Sequence, residues 1–282
     1  MSGKLVALVD GSEYSRSVCE HAAWLSARSG RSVELLHVIG RRHAATGDFS
    51  GAIALGARTA LLEELSELDA RMARLAQTRG RAILEDAEAI LTGQGIEVSS
   101  RLRIGDLLDE VQEAAADADM VVIGKRGEAA DFARGHLGSN LERVARAADR
   151  PVFVASRAFR PIAKVLVAFD AGASALKAVD HMARSPTAEG LSFRLVFAGA
   201  ETAESRRALE GAAAILEGAG LSVETAILPG APAAAVVEDA ERWGADMLVM
   251  GAYGHSRIRS MIIGSVTEEL LRGCRLPVFL FR

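Results

Sequence analysis

The run Val165-Leu166-Val167-Ala168-Phe169-Asp170 is a short apolar segment that ends on an aspartate. It repeats an earlier run of the same kind, Leu5-Val6-Ala7-Leu8-Val9-Asp10. Strands that are buried on both faces of a parallel sheet have this continuous apolar character. A helix-like pattern follows each run, as expected for the first strand of a βαβ unit. The sequence therefore predicts a parallel α/β sheet that is built twice.

Three further landmarks recur in the same order: 118–124 as 245–251, 138–139 as 264–265, and 150–154 as 276–280. Because their order is kept, they indicate duplication rather than chance composition. We predict a first domain over 1–156 and a second over 162–282. Each is expected to be an open, doubly wound, five-stranded parallel sheet with helices on both faces, a Rossmann-like α/β fold.

The expected elements follow the same alternation in both halves. In the first half we predict strands near 4–10, 32–38, 96–103, 119–124 and 151–155, and helices near 13–29, 59–92, 106–117 and 137–148. In the second half we predict strands near 163–170, 192–199, 221–228, 246–251 and 276–281. If the last strands of the two halves pair about a twofold axis, one chain forms an internal pseudo-dimer. A further homodimer of whole chains stays open.

The first half carries a longer insertion after its second strand, from Gly40 to about Gly95. Apolar side chains in it recur at alternating intervals of four and three residues, at Leu61, Leu65, Leu68, Met72 and Leu75. This spacing predicts an amphipathic helix. We expect its apolar stripe to pack on the domain's own sheet rather than to bind a partner. The stretch 41–58 is expected to be a loop, with a flap near the first site as an alternative.

Composition and charge exclude several classes of protein. Hydrophobic residues make up 50% of the 282 residues and charged residues 25%, as in a globular protein. The net charge of −4 gives no support to nucleic-acid binding. No apolar stretch of membrane-spanning length and no signal-peptide pattern is present, so a cytoplasmic protein is expected. Cys19 and Cys274 fit no metal spacing and are expected to be buried apolar residues.

A glycine loop follows the fourth strand of the second half. Gly251-Ala252-Tyr253-Gly254 is separated by nine residues from Gly264-Ser265. Glycines at the carboxyl end of a parallel strand let backbone N–H groups approach an anion, and the following helix directs its N-terminus at the same place. Two alternatives need no ligand: 265–268 matches a capping box, and the first two glycines suit a tight turn.

Asp170 is expected beside this loop, because the first and fourth strands flank the switch point of a doubly wound sheet. A carboxylate there can hydrogen-bond a ribose or coordinate Mg²⁺ that is bound to phosphate. The alternative is that Asp170 starts a turn or caps the next helix.

These features together resemble the universal stress protein family: a strand that ends in aspartate, then G-x-x-G-x9-G-[ST] and Pro-Val at the far end. The resemblance covers essentially the whole chain as two tandem domains. It implies an adenine nucleotide alpha hydrolase-like fold, ATP with Mg²⁺, dimerisation through the last strand and a role in stress survival. It also implies a second-half site formed by Asp170 at the ribose or metal, Ala198 at the adenine, and Gly251, Gly254, Gly264, Ser265 and Val266 around ribose and phosphates. His255, just beyond the second glycine, could add a cationic or hydrogen-bonding contact.

The first half departs from the family pattern, because ten residues instead of nine separate 124–127 from 138–139. Lys125 and Arg126 supply charge complementary to phosphate, with a solvated turn as the alternative. The corresponding site residues are Asp10, Val38, Gly124, Gly127, Gly138 and Ser139. We expect the second site more firmly than the first.

No nucleophile–base pair, H-E-x-x-H spacing, G-x-S-x-G elbow or P-loop motif is present in the sequence. We therefore expect a protein that senses or retains ATP and hydrolyses it slowly or not at all, and not an enzyme. The alternative is a nucleotide-independent regulatory protein that uses the fold as a dimerisation scaffold. An adenylate-forming relative is disfavoured, because no S-G-G-x-[DS]-S loop follows the first strand.

Overall fold

The computed structural model describes residues 3–40, 57–127, 139–252 and 264–282. Its first half follows the order β1 (Lys4–Leu8), α1 (Glu13–Ser29), β2 (Ser32–Gly40), α2 (Ala57–Thr92), β3 (Val98–Gly105), α3 (Leu107–Ala115), β4 (Met120–Gly124), α4 (Ser139–Ala147) and β5 (Val152–Ala155). The predicted alternation of strands and helices is confirmed in this half.

The second half repeats the plan. Its elements are β6 (Lys164–Ala168), α5 (Ala173–Arg184), a 3₁₀ turn (Pro186–Ala188), β7 (Ser192–Ala198), α6 (Ala203–Gly218), β8 (Ser222–Leu228), α7 (Pro232–Trp243), β9 (Met247–Gly251), α8 (Ser265–Gly273) and β10 (Val278–Phe281). Each of its predicted strands is present within a few residues of the expected bounds.

The two halves share one ten-stranded sheet with the order β3-β2-β1-β4-β5-β10-β9-β6-β7-β8. Within each half the strands are parallel, and β5 and β10 join the halves as an antiparallel pair in which Phe153 lies opposite Phe279. The expected pairing of the two last strands is thus confirmed. It covers the edge that each half would otherwise expose.

Two apolar layers cover the sheet, one on each face, and each runs through both halves. Alternate side chains of β1 illustrate this, because Leu5 and Ala7 belong to one layer while Val6 and Leu8 belong to the other. Helices α1, α2, α5 and α6 pack on the first face, and α3, α4, α7 and α8 pack on the second. Cys19 and Cys274 are buried as predicted, and burial raises the pKa of the Cys19 thiol to about 12. Among the described residues, no helix is long and apolar enough to cross a membrane.

Helix α2 corrects one expectation. Its C-terminal part packs on the sheet through Leu84, Ala87 and Leu91, which are buried. The predicted stripe lies further toward the N-terminus, where Leu68 and Met72 are 53% and 57% exposed. The reason is length: the 36 residues of α2 span about 54 Å, whereas the eight residues of β3 span about 26 Å. The apolar stripe therefore does not pack on its own sheet.

Candidate functional site

The first and fourth strands of each half are neighbours, as the sequence predicted. Ala7 of β1 lies opposite Val122 of β4, and Val167 of β6 lies opposite Val249 of β9. The chain leaves β1 toward β2 on one side, while β4 lies on the other side, so the strand order reverses between them. Open α/β sheets bind ligands in the crevice at this switch point. Asp10 and Asp170 follow the strands that border it.

In the first half, Asp10 organises the turn that leads into α1. Its Oδ1 accepts hydrogen bonds from the Ser12 amide at 3.0 Å and from the Ser15 hydroxyl at 3.2 Å. Gly11 has a φ of 79°, which glycine adopts without steric cost. A Cβ added to Gly127 would lie 2.7 Å from Oδ2 of Asp10, so the backbone after β4 lies directly against this carboxylate. The structure thus joins two predicted site residues that are far apart in sequence.

In the second half, Asp170 forms a similar turn. Its Oδ1 accepts a hydrogen bond from the Gly172 amide at 2.8 Å. Gly172 is the N-cap residue of α5, so the alternative of a turn is observed and that of a helix cap is not. A carboxylate at this place is an acceptor for hydroxyl groups and a hard oxygen ligand.

Gly251 and Gly124 are required where they stand, because a helix passes close to each. A Cβ on Gly251 would lie 2.8 Å from Ser174 Cβ and 2.9 Å from the backbone nitrogen of Ala175. A Cβ on Gly124 would lie 2.7 Å from Tyr14 Cβ. Contacts this short do not occur for real Cβ atoms, so only glycine permits this approach of strand end and helix.

A cavity opens at the switch point of the first half. It is lined by side chains and backbone from β1, β2, β4 and α1, among them Asp10, Tyr14, Val38, Gly124, Arg126 and Gly127. His37 also lines it, and its Nδ1 lies 2.7 Å from the Val9 carbonyl oxygen, which fixes the ring. The predicted residues Asp10, Val38, Gly124 and Gly127 therefore share one cavity.

Helix α2 borders this site, which the sequence did not predict. A Cβ on Gly80 of α2 would lie 2.9 Å from Cδ2 of His37, and a Cβ on Gly11 would lie 2.8 Å from Cδ1 of Ile83. Gly80 was the signal in the sequence that could have indicated this approach. A glycine inside a helix costs about 1 kcal/mol relative to alanine, so its presence suggests that another group passes close to it. Its lack of a side chain is what lets α2 approach the His37 ring.

Lys125 does not face this cavity, which corrects its expected role beside phosphate. It is 9% exposed, and its Nζ donates a hydrogen bond to the Cys274 carbonyl oxygen in the other half. Burial lowers the pKa of Lys125. Its charge therefore serves the contact between the halves, and Arg126 alone of this pair lines the cavity.

The start of α8 rules out one of the two interpretations of Ser265, the capping box. Gly264 is the N-cap residue, and its carbonyl accepts the Glu268 amide at 2.9 Å. Ser265 is already inside the helix and exposed, so the capping-box alternative is wrong for 265–268. Ser139 is likewise the first residue of α4. The buried Thr267 hydroxyl instead donates to the Ala252 carbonyl at 3.2 Å and ties α8 to the end of β9.

The remaining predicted residues fall into two groups. Ala198 ends β7, and Val266 lies in the first turn of α8 with 39% exposure. Gly138, Gly254 and His255 lie outside the described residues, so their places in the two sites stay predictions. The group of atoms that the structure does bring together is the aspartate, the strand-end glycine and the helix start.

Comparison with known proteins gives one consistent result. The model of the universal stress protein family matches residues 1–156 and 161–282. A curated universal stress protein from Synechocystis is 36% identical over 280 residues, which cover 97% of each chain. A universal stress protein from Archaeoglobus fulgidus has a crystal structure that matches 100% of this chain and 99% of its own, with a TM-score of 0.77 and 20% identity. A solved universal stress protein in complex with cAMP is 29% identical and covers 44% of this chain and 98% of its own, with a TM-score of 0.38.

Proposed function

The chain belongs to the universal stress protein family, and we propose that it is an ATP-binding member that senses or retains adenine nucleotide in the stress response. The observation that carries this proposal is the cavity at the first switch point, where Asp10, Val38 and Gly127 meet. The described part of the second half has the same arrangement: Asp170 follows β6, Gly251 ends β9, and Gly264 precedes α8.

The chemistry of these residues fits the parts of a nucleotide. The ends of β2 and β7 present apolar side chains at Val38 and Ala198, which suit a purine face. The carboxylates of Asp10 and Asp170 can accept hydrogen bonds from ribose hydroxyls. The N-termini of α4 and α8 have the positive dipole end and N–H groups that favour phosphate. Site residues thus come from several elements that end at one edge of each half-sheet.

Asp170 is the residue that we propose as a ligand of phosphate-bound Mg²⁺. A carboxylate oxygen is the hard ligand that Mg²⁺ prefers, and one or two carboxylates plus phosphate oxygens form its usual protein site. The metal would neutralise part of the phosphate charge. Asp170 Oδ1 keeps its bond to the Gly172 amide, which holds the carboxylate at the strand end.

We further propose that the nucleotide is retained or hydrolysed only slowly. Rapid phosphoryl transfer needs a positioned water or acceptor and a cation that stabilises charge in the transition state. Of the two cations that follow β4, Lys125 is held by the Cys274 carbonyl, which leaves Arg126 at the cavity. The release of phosphate from bound ATP should therefore be slow compared with nucleotide dissociation, and single-turnover measurement of phosphate release tests this.

The decisive experiment counts nucleotides. Protein purified without nucleotide removal is denatured and searched for ATP and AMP by mass spectrometry, and stripped protein is titrated with ATP and Mg²⁺ by calorimetry. We expect two sites in the unmodified protein, one after Gly264→Val, and one after Gly127→Val. Gly211→Val at an exposed position of α6, where an added Cβ meets nothing within 4 Å, is the control and should keep both. Unchanged ATP binding in both Gly264→Val and Gly127→Val would contradict the assignment of these two nucleotide sites.

A second candidate, a nucleotide-independent interaction protein, is favoured by the exposed apolar residues Leu68, Met72 and Leu75 of α2. Exposed apolar groups of this kind mark interaction surfaces. Absence of nucleotide in both experiments, with unimpaired folding, would favour this candidate over ATP binding.

A further inference from the structure

A second cavity lies at the junction of the two halves, away from the switch points. The first half contributes Arg31, which follows α1, and Arg150, which precedes β5. The second half contributes Lys177 and Arg184 of α5, together with Arg282 after β10. Its volume of about 390 Å³ lies in the range of pockets that hold small molecules.

Cationic side chains outnumber acidic ones around this cavity. The five cations are accompanied by three carboxylates: Asp149 and Asp180 line the cavity, and Asp119 pairs with Arg31. The ion pairs with the lining carboxylates join Arg184 to Asp180 at 2.6 Å and Arg282 to Asp149 at 3.7 Å. Within the described part of the chain, Lys177 has no ion-pair partner. The cavity therefore combines a concave shape with unbalanced positive charge, which concentrates anions.

His181 adds a polar group that the protein itself does not satisfy. Its ring lines the cavity and packs against Phe281, with ring centroids 4.9 Å apart. Its Nε2 is buried, and among the described residues it has no hydrogen-bond partner. Burial lowers the pKa of His181, Arg31 lowers it further, and Asp119 and Asp180 oppose this. The buried Nε2 of His21 in the first half is also without a partner among the described residues, so the cations of the cavity, and not this atom, carry the argument for a ligand.

The equivalent place across the pseudo-twofold axis differs. Helices α1 and α5 begin at Glu13 and Ala173, so His21 corresponds to His181. His21 is fully buried, and Phe159 packs edge-on against its ring at 5.1 Å. The counterparts of Lys177 and Arg184 are Ser17 and Trp24. The fold therefore does not require cations at these helix positions, and α5 carries them while α1 does not.

We propose that this junction cavity binds a small anion that carries phosphate groups. Guanidinium groups are planar forks that match phosphate oxygens, and here they approach from both halves. A tetrahedral phosphate presents oxygens in several directions, whereas a planar carboxylate presents two. Occupancy would join α5 and β10 of the second half to the α1–β2 and α4–β5 connections of the first. The site is independent of the nucleotide sites, since it shares no residue with them.

The test uses inorganic diphosphate as the probe and calorimetry at low ionic strength. The protein carries Gly127→Val and Gly264→Val, which are intended to remove both switch-point sites. Adding Lys177→Ala and Arg184→Ala should weaken diphosphate binding by about ten-fold or more. The matched control adds Arg206→Ala and Arg207→Ala, two exposed arginines of α6 with the same change in net charge. Equal affinities in the two quadruple variants would overturn the proposal.

The NMR resonances of the two histidine rings supply a second measurement, and this one does not depend on removing charged residues. Diphosphate added at pH 7.5 should shift the ring resonances of His181 in NMR spectra and leave those of His21 in place, because Phe159 covers His21. Movement of both or of neither contradicts a site at this cavity. Excess salt should reverse the shift, since the partly exposed cations are screened.

Discussion

The two halves build the same turn after their first strand from different residues. Gly11 follows Asp10 with a φ of 79°, and Ala171 follows Asp170 with a φ of 60°. Glycine adopts this backbone at no steric cost, whereas alanine is strained there. Asp10 also gains a hydrogen bond from Ser15, where the second half has Ala175. Duplication has preserved the backbone path and the carboxylate, while the side chains that support them have diverged.

A second difference between the halves lies in the helix after the second strand. Helix α2 has 36 residues and reaches the first site through Gly80 and Ile83, whereas α6 has 16 residues. The insertion in the first half therefore places a longer helix against the turn at Gly11 and against the ring of His37, which lines the first cavity.

The largest expected effect comes from filling the strand-end glycines. In Gly251→Ala the new Cβ would meet backbone at Ala175, which cannot move aside, so we expect a loss of about 2 kcal/mol in the free energy of unfolding. In Gly124→Ala the new Cβ would meet Tyr14 Cβ at 2.7 Å, but its next neighbour, the Arg126 carbonyl oxygen, lies at 3.2 Å. Fewer atoms are too close than at Gly251, so the cost should be smaller, about 1 kcal/mol. Urea unfolding measures both.

Gly211→Ala is the control for this pair. Gly211 lies at an exposed position inside α6, and an added Cβ meets nothing within 4 Å. Helix propensity predicts a gain of about 0.5–1 kcal/mol there. Equal costs at Gly251 and Gly124 would show that the two strand ends are packed more alike than the distances indicate.

The sequence predicted the features that local patterns control. Apolar runs and duplication predicted the order of elements along the chain, the neighbouring first and fourth strands, and the place of Asp10 and Asp170, because these depend on periodicity and on parallel topology. The direction of Lys125 was missed, since its partner Cys274 is 149 residues away and is reached only through the β5–β10 pair. The exposure of Leu68 was also missed, because periodicity defines a face and not what covers it.

Substitution at Gly11 should have the next largest effect. Gly11→Ala places a Cβ at positive φ, the backbone strain that Ala171 bears at the equivalent position of the second half. It also places this Cβ 2.8 Å from Ile83 Cδ1, which adds a steric contact. We expect a loss of about 1–2 kcal/mol in the free energy of unfolding, measured by urea denaturation. A variant that also carries Ile83→Ala should lose less from Gly11→Ala, since the contact is then absent. If both backgrounds lose the same amount, backbone strain alone accounts for the cost.

His21, which is buried, and His181, which is partly buried, should make stability depend on pH. Burial lowers the pKa of His21 and of His181, so the unfolded chain takes up protons at a higher pH than the folded chain. Stability is then lost as pH falls below about 6.5 toward the folded pKa, with a slope of at most about 1.4 kcal/mol per pH unit for each histidine.

The surroundings of the two histidines modify the effect of burial differently. At His21 the hydrogen bond with the Ser17 carbonyl oxygen and the charge of Glu20 oppose the lowering of the pKa, whereas at His181 Arg31 adds to it and Asp119 and Asp180 oppose it. His21→Gln and His181→Gln should each flatten the pH dependence of the urea midpoint between pH 7.5 and 5.5. A variant that keeps the full pH dependence would show that its histidine does not contribute.

The smallest expected effect is a gain at Ala171. Ala171→Gly removes the strain of an alanine at positive φ, about 1–2 kcal/mol, but glycine also adds entropy to the unfolded chain, which returns about half of that. We expect a net gain of about 0.5–1 kcal/mol in urea unfolding. Ala173→Gly in the first turn of α5, where the backbone is helical, is the control and should lose stability instead. Strained backbone is often kept at functional sites, so ATP affinity should be measured on the same variant. If the strain positions Asp170 for its ligand, Ala171→Gly will bind ATP more weakly although it is more stable, and unchanged affinity would identify the alanine as neutral divergence from the glycine of the first half.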